Sequence, residues 1–219
     1  MRVSHHLTDE TLQDYSVGSL VPSMETLVAC HLTVCRQCRE RSELADSVGG
    51  ELFENIDSLP VKHSVADTLR RAREVLPAPG HASNKNPDFK SAGVPRPLAR
   101  LLPARLEELE WRRIAPGIKQ INLSDQPRRM GAFKLLHLEP GVVLSAHSHN
   151  SRELTYVVKG SYQDEIGRFK PGDIADLNGH VAHQPVVDTQ EPCIALIASL
   201  SPVRYNGMLG KIMQPFIGI

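Results

Sequence analysis

Residues 29–38, "ACHLTVCRQC", hold one histidine and three of the four cysteines of this 219-residue chain. His31, Cys35 and Cys38 are spaced so that a single helix running through them would present all three side chains on one face. Imidazole and thiolate groups are the ligands that a structural zinc ion prefers, four of them in a tetrahedron. The stretch therefore predicts three ligands of a zinc site, and the fourth has to come from elsewhere in the chain.

The fourth ligand would come from the histidine pair His5 and His6, which precede the first predicted helix. Cys30 adjoins His31 but points about 100° away from it on a helix, so we exclude it as a ligand. The alternative is that the cysteines are ordinary buried residues beside a histidine, or a redox pair. A helical segment of about 76 residues has a limited core, and a zinc site contributing on the order of 10 kcal/mol would stabilise its fold.

The overall composition is that of a globular protein, with 41% hydrophobic and 23% charged residues and a formal net charge of zero. Balanced charge argues against nucleic-acid binding through bulk charge. No apolar run approaches the roughly 20 residues that cross a bilayer, and the N-terminus lacks the apolar core of a secretory signal. We expect a cytoplasmic protein without direct contacts to nucleic acid or membrane, where clustered cysteines favour metal binding over disulfides.

The first part of the chain is predicted to be helical. Thr8 suits the N-cap of a first helix, and a long helix is predicted from Met24 to Val48, ending at the glycine pair that follows. A short segment at 51–56 and a further helix at about 64–76 complete this part. The last helix carries an apolar stripe formed by Val65, Leu69, Ala72 and Leu76.

The chain is divided by a change in amino-acid composition and in hydrophobic periodicity. Residues 79–99 are rich in Pro, Gly, Ser and Asn without periodicity, which predicts a flexible linker. Period-two strands broken by glycine and proline turns are then predicted within 131–141, 153–177 and 192–203, which indicates a β-sandwich or barrel. The fold class is therefore α+β in two domains: a zinc-bound helical bundle over 1–78, the linker over 79–99, and an all-β domain over 100–219.

A second group of candidate ligands lies in the β part. His147 and His149 are two residues apart on a predicted strand and face the same side, Glu153 follows in the adjoining turn or strand, and His183 comes later. Three imidazoles and one carboxylate suit a divalent metal with open coordination positions, such as Zn, Mn, Fe or Ni. The alternative is a barrel that is used without metal. Cys193, on the last predicted strand, is expected to be a small buried side chain, and a redox role is the alternative.

The N-terminal segment resembles the zinc-binding anti-sigma domain, whose signature is an early histidine followed by His-x3-Cys-x2-Cys. In that family the helical bundle embraces an extracytoplasmic-function sigma factor and keeps it from RNA polymerase. The resemblance implies that the last helix packs on the sigma factor through its apolar stripe, whereas from the residues alone the stripe could belong to an intramolecular core. It implies the ligand set His6, His31, Cys35 and Cys38.

The C-terminal part resembles the cupin family, a double-stranded β-helix or jelly-roll barrel, through Gly141-x5-His147-x-His149-x3-Glu153-x6-Gly160 and the later Gly172 and His183. The second motif departs from the family at three turn positions, Asn178, His180 and Val187. Together the two parts resemble ChrR-type anti-sigma factors. This implies a regulator, not an enzyme, that releases its sigma factor under singlet-oxygen or organic-hydroperoxide stress. The rival hypothesis is a cupin metalloenzyme, a dioxygenase or isomerase, with an accessory helical domain.

Overall fold

The computed structural model describes residues 3–60, 62–75, 93–124, 131–148, 151–177, 182–201 and 204–205. Within these ranges helices occupy the N-terminal part and strands the C-terminal part, so the α+β organisation predicted from the sequence is confirmed. None of the helices in the described ranges has both the length and the apolar character needed to cross a membrane.

Four helices make up the N-terminal part: α1 (Asp9–Ser16), α2 (Pro22–Val34), α3 (Arg36–Glu54) and α4 (Val65–Val75). Thr8 caps α1 as predicted, because its hydroxyl accepts a hydrogen bond from the Thr11 amide at 3.2 Å. The predicted single helix from Met24 to Val48 is wrong. Cys35 has extended backbone angles, φ −98° and ψ 101°, and so ends α2 and begins α3.

The predicted stop at Gly49 and Gly50 is also wrong, since α3 runs through both glycines to Glu54, with Asn55 as its C-cap. A glycine in a helix costs only about 1 kcal/mol relative to alanine. A glycine ends a helix when it takes up the left-handed conformation, and neither of these two has a positive φ. The pair therefore weakens α3 without interrupting it.

Ten strands, β1 to β10, are found in the described part of the chain, and they confirm the strands predicted within 131–141, 153–177 and 192–203. Six of them form one antiparallel sheet in the order β1-β2-β3-β9-β5-β8, while β4 pairs with β10 and β6 with β7. Their bounds in chain order are Arg112–Ala115, Ile118–Asn122, Ala132–Leu138, His147–Ser148, Glu153–Lys159, Tyr162–Gln163, Arg168–Phe169, Ile174–Leu177, Cys193–Ser199 and Arg204–Tyr205.

The central strands β3, β9 and β5 of the six-stranded sheet are buried on both faces, and alternation along each strand assigns side chains to one face or the other. One face lines the interior of the β part, with Leu136 and Leu138 of β3 among its side chains. The opposite face belongs to the same apolar cluster as the helices, through Leu154 of β5 and Leu196 of β9. The helical segment therefore packs against the sheet and shares a core with it.

The C-terminal end of the predicted linker is ordered and packed. Residues 79–92 lie outside the described residues, but Arg96–Ala99 form a short helix, α5, that contacts α2. Leu98 is completely buried and Ala99 nearly so, and both belong to the cluster that joins the helices to the sheet. The linker predicted for residues 79–99 is therefore too long at its C-terminal end. The prediction relied on the prolines and overlooked the apolar residues that follow them.

Candidate metal centres

Four side chains from three parts of the helical segment converge on one point. His6 Nδ1, His31 Nε2 and the sulfur atoms of Cys35 and Cys38 all lie within 4.8 Å of one another. Neighbouring pairs are closer, with 3.3 Å from His6 Nδ1 to Cys35 Sγ and 3.2 Å from His31 Nε2 to Cys38 Sγ. Ligands at about 2.0 to 2.3 Å from a common zinc ion in a tetrahedron have separations of this size. The cluster could therefore hold a metal ion.

The break between α2 and α3 explains how the three ligands of the opening stretch come together. His31 lies in the last turn of α2, Cys35 at the break, and Cys38 in the first turn of α3. Cys35 Sγ also accepts a hydrogen bond from the Cys38 amide at 3.4 Å, which caps α3. The side chains thus surround a point from two helices instead of lining one helical face, which corrects the geometry expected from their spacing.

The protonation chemistry of the cluster fits a bound cation. Burial lowers the pKa of His31 to about 4, so the imidazole is neutral at pH 7 and keeps a lone pair for a metal. Burial raises the pKa of Cys38 to about 11, with the neighbouring Cys35 adding to the effect. A buried thiol such as that of Cys38 ionises readily only when a positive charge is supplied beside it. A divalent metal supplies that charge.

The structure brings His6, and not His5, to the cluster. The His5 ring stacks on Phe169 of β7 with ring centroids 4.0 Å apart, and its Nδ1 lies 3.4 Å from the Asp173 carboxylate. His6 turns the other way, towards Cys35. The choice between the two histidines, which the residues alone left open, is thus decided by contacts that His5 makes with the β part.

Two of the four predicted ligands in the β part have described side chains, and both line one cavity. Glu153 begins β5 and faces inward, and His183 reaches the same cavity from the segment after β8. Burial raises the pKa of Glu153 to about 7, against the opposing effect of His183. Thr155 and Tyr162 add hydroxyls, and the remaining wall is apolar: Leu136, Leu138, Leu144, Pro185, Ala195 and Ile197.

The other two predicted ligands cannot be placed at the level of side chains. His147 lies on β4, where its backbone pairs with Tyr205, and His149 lies outside the described residues. The four-ligand set His147, His149, Glu153 and His183 therefore stays a prediction.

Sequence reasoning missed Asp164, which lies directly behind His183. Its Oδ2 is 3.0 Å from His183 Nδ1, and its side chain is fully buried. Its Oδ1 accepts hydrogen bonds from the amides of Ile166 and Gly167. Burial alone would raise the pKa of Asp164, but the hydrogen bonds from His183 and these amides keep it below its ordinary value. The signal in the sequence was an aspartate before a glycine turn, which also occurs at turns without any such role.

The two remaining cysteines are buried and lie apart from the cluster of four. Cys30 and Cys193 are each 0% exposed, and burial raises the pKa of each thiol to about 12. A thiol with so high a pKa has little thiolate at neutral pH and reacts slowly. The expectation that Cys193 is a small buried side chain is confirmed.

The apolar stripe predicted on the last helix faces solvent where it is described. Val65 is 77% and Leu69 is 54% exposed, and Ala72 is exposed as well. Leu76 lies outside the described residues. At these three positions the stripe is not part of an intramolecular core.

Known proteins match both parts of the chain. A family model described as the ChrR cupin-like domain matches residues 102–202, which confirms the predicted cupin. The anti-sigma-E factor ChrR of Cereibacter sphaeroides is 33% identical over 220 residues, covering 100% of both chains. The crystal structure of Rhodobacter sphaeroides SigE in complex with the anti-sigma ChrR contains a chain that is 30% identical, covers 90% of this chain and all of its own, and superposes with a TM-score of 0.74.

These similarities extend over both domains and the segment between them. The relative that matches from end to end is a regulator, so the rival hypothesis of a cupin metalloenzyme is set aside. The chain belongs to the ChrR family of anti-sigma factors.

Proposed function

We propose that this protein binds an extracytoplasmic-function sigma factor through its helical segment and keeps it inactive. The observation that carries the proposal is an exposed arm, defined here as residues 46–75. Every residue of 46–60 and 62–74 is exposed, yet this arm carries seven large apolar side chains. Large apolar side chains concentrated on one exposed segment are rare on a monomer and mark a protein interface. The seven are Val48, Leu52, Phe53, Ile56, Leu59, Val65 and Leu69.

The arm includes α4 and the C-terminal half of α3. On α3 the exposed side chains Leu44, Val48 and Leu52 recur every four residues and so form one stripe. The proposed partner-binding residues are Val65, Leu69 and Ala72 of α4, together with Leu76, which lies outside the described residues. The matching chain in the SigE complex supports a sigma factor as the occupant of this surface. Because a sigma factor acts with RNA polymerase, the proposal places the protein in the cytoplasm.

We propose zinc as the metal of the helical segment. A site of two histidines and two cysteines is a common structural zinc set, and the buried cluster needs a cation for its thiolates. His6 tethers the N-terminus, while His31, Cys35 and Cys38 fix the angle between α2 and α3. The zinc would thus hold α3 in the orientation from which the arm extends.

We also propose that the cupin holds a divalent metal through His147, His149, Glu153 and His183. Glu153 and His183 already share a cavity. Asp164 would orient His183, because its carboxylate accepts a hydrogen bond from Nδ1–H of the imidazole and so directs Nε2 to the metal. When bound, such a metal supplies open positions at which a small oxidant can react. The cupin is then the sensor of singlet oxygen or organic hydroperoxides, and its reaction favours release of the sigma factor.

A reporter driven by the sigma factor's own promoter tests the proposal in cells that carry variants of the full chain. With Cys38→Ala the reporter should be active without stress, because the zinc-dependent arrangement of α3 is lost. With Glu153→Ala it should stay inactive with and without oxidant, because the arm is intact and the sensor is not.

Glu139→Ala provides the matched control, since Glu139 is a half-exposed cupin carboxylate outside the cavity. That variant should respond to oxidant as the unmodified protein does. A Glu153→Ala strain that is induced normally would contradict the sensing role, and a Cys38→Ala strain that remains repressed would contradict the role of the zinc cluster.

A further inference from the structure

We propose that the cupin turn at residues 170–173 and the adjoining Asp176 of β8 provide the outer shell of the zinc site in the helical segment, so that the metal affinity of that site depends on its contact with the cupin. The inference rests on the proposed function, because it takes the cluster of four ligands as a zinc site. Three contacts between the two halves of the chain carry it.

The first contact is made by the ligand His31. Its Nδ1 lies 2.9 Å from the backbone carbonyl oxygen of Gly172, and the ring is completely buried. A carbonyl only accepts hydrogen bonds, so Nδ1 carries the proton and donates it. That leaves the lone pair on Nε2, the nitrogen that faces Cys38. Outer-shell acceptors of this kind set the tautomer and orientation of metal-binding histidines, and here the acceptor belongs to the cupin.

The second contact fixes the chain just before the ligand His6. The Asp173 carboxylate, 1% exposed, accepts hydrogen bonds through Oδ1 from the backbone amides of Ser4 at 2.7 Å and His5 at 3.1 Å. Its Oδ2 accepts from the Ser4 hydroxyl at 3.1 Å and from the Lys170 amide at 2.9 Å. One buried cupin side chain therefore anchors the N-terminal segment on one side of His6.

The third contact anchors the other side of His6. The Asp176 carboxylate of β8 accepts hydrogen bonds from the Thr8 amide at 2.9 Å and the Thr8 hydroxyl at 2.8 Å. His6 is thus held between two attachments to the cupin, at residues 4–5 and at residue 8. Both histidine ligands are positioned by the cupin, whereas Cys35 and Cys38 are positioned by the helix break. The imidazole half of the site depends on contacts that the helical segment cannot make alone.

The same turn is attached to the strand that begins at Glu153. The Gly172 amide donates to the Val157 carbonyl at 2.9 Å, and the Val157 amide donates to the Asp173 carbonyl at 3.1 Å. Val157 lies on β5, four residues after Glu153. A displacement of β5 at the proposed cupin site would therefore also move the Gly172 carbonyl that accepts from His31 and the Asp173 carboxylate that holds the chain before His6. Coupling between two binding sites is reciprocal, so zinc binding and cupin rearrangement would influence each other.

Cobalt(II) titration of the full-length protein tests the inference, because only a site with cysteine ligands gives a thiolate-to-cobalt charge-transfer band. The variants are Asp173→Asn, which weakens the anchor at residues 4–5, and Asp176→Ala, which removes the two hydrogen bonds to Thr8. Each should lower the cobalt affinity of the thiolate site by about tenfold, the lower end of the usual effect of losing an outer-shell partner. Asp188→Asn is the control, since Asp188 is a cupin carboxylate that pairs with Arg168 away from the helices.

Cobalt affinities within about twofold of the unmodified protein in Asp173→Asn and Asp176→Ala would overturn the inference and leave the zinc site standing. If Asp173→Asn does not fold, Asp176→Ala decides alone, because Thr8 is only partly covered and the loss is local. The absence of a thiolate band in the unmodified protein would remove the metal site itself, and with it both this inference and the proposed role of zinc, whereas sigma-factor binding through the exposed arm would still stand. Weakened binding in the two variants with normal binding in Asp188→Asn supports the inference.

Discussion

At the scale of single residues, position in the fold decides which cysteines can serve a metal. Cys30 and Cys38 are both 0% exposed and lie eight residues apart. Both belong to the apolar cluster shared by the helices and the sheet, but Cys38 has a second thiol and two imidazoles within 4.8 Å, whereas Cys30 is not one of the four side chains that converge there. The same side chain is thus a candidate ligand at one position and a small buried residue at the other.

This contrast predicts different outcomes for two substitutions. Cys38→Ala should lower the metal content by one equivalent per chain and strongly destabilise the helical segment, because zinc binding contributes about 10 to 16 kcal/mol in small zinc domains. Cys30→Ala should retain the metal and lower the free energy of unfolding by about 1 kcal/mol, as buried substitutions typically do. Elemental analysis and thermal unfolding measure both effects. Full metal content in Cys38→Ala would remove Cys38 from the ligand set.

Asp164 allows a second prediction at this scale. Asp164→Asn keeps an oxygen for the amides of Ile166 and Gly167 but removes the negative charge that faces His183. We expect the metal affinity of the cupin site to fall by about 10- to 100-fold, because a carboxylate partner raises the basicity of a ligand histidine. Metal titration of the full chain measures this change. Asp188→Asn serves as the control, and an affinity equal to that of the control would show that Asp164 is only a turn residue.

At the scale of elements, α3 lies in two different environments, buried near its start and exposed over its C-terminal half. Its first two turns are buried at Cys38, which belongs to the cluster of candidate ligands, and at Ser42, and from residue 46 onward it is exposed. A helix that leaves its own core with apolar residues exposed gains stability when a partner covers it. The exposed part of α3 and the helix α4 therefore have the apolar character of a surface that a binding partner would cover.

Leu69 tests this surface directly. Leu69→Ser should weaken sigma-factor binding by about 10- to 100-fold, which corresponds to about 1.5 to 3 kcal/mol for one buried leucine. The free energy of unfolding of the protein alone should change little, because Leu69 is already 54% exposed. Calorimetric titration with the sigma factor measures the first quantity and denaturant unfolding the second.

Val17→Ser is the matched control for that experiment. Val17 is 76% exposed and follows α1, outside the exposed arm. Its substitution should leave sigma-factor affinity unchanged. Equal affinities for the Leu69 and Val17 variants would place the interface elsewhere on the protein.

At the scale of the whole molecule, the helices and the cupin are joined by one apolar cluster and by several polar contacts. Leu27 and Val28 of α2 belong to the same cluster as Leu154 and Leu196 of the sheet. At the edge of this contact Arg152, next to Glu153, pairs with Asp14 at 2.5 Å and with Glu10 at 2.6 Å of α1. The two halves therefore contribute to each other's stability, although the sequence divides cleanly between them.

This shared core predicts the behaviour of a protein cut between its halves. Limited proteolysis should cut first within residues 79–92, where Pro, Gly and Ser are frequent. The two fragments should nevertheless elute together from a gel-filtration column, because each buried leucine contributes about 1.5 to 3 kcal/mol to their contact. They should separate in denaturant. Fragments that elute apart under native conditions would show that the halves are independent in solution.

Local pattern in the sequence was sufficient for the chemical identity of the site and for most elements. The ligand types follow from "HLTVCRQC", the cap at Thr8 from its hydroxyl, and the strands from period-two alternation, because each of these depends on neighbours within about one turn or two residues. The cupin strands and the zinc-type cluster could therefore be predicted from the amino-acid sequence alone.

Only the tertiary structure decided how these parts depend on one another. The residues alone left His5 and His6 open, and the resemblance implied His6 without giving a physical reason. That reason, the break at Cys35 and the contacts of Asp164 and Asp173 all required knowledge of the three-dimensional structure. The bond between His31 and Gly172 joins residues 141 positions apart, and no local pattern encodes such a pair. The sequence likewise did not show that the helices cover the face of the sheet that carries Leu154 and Leu196. Alternation along a strand shows that a face is apolar, but it does not show which element packs against that face.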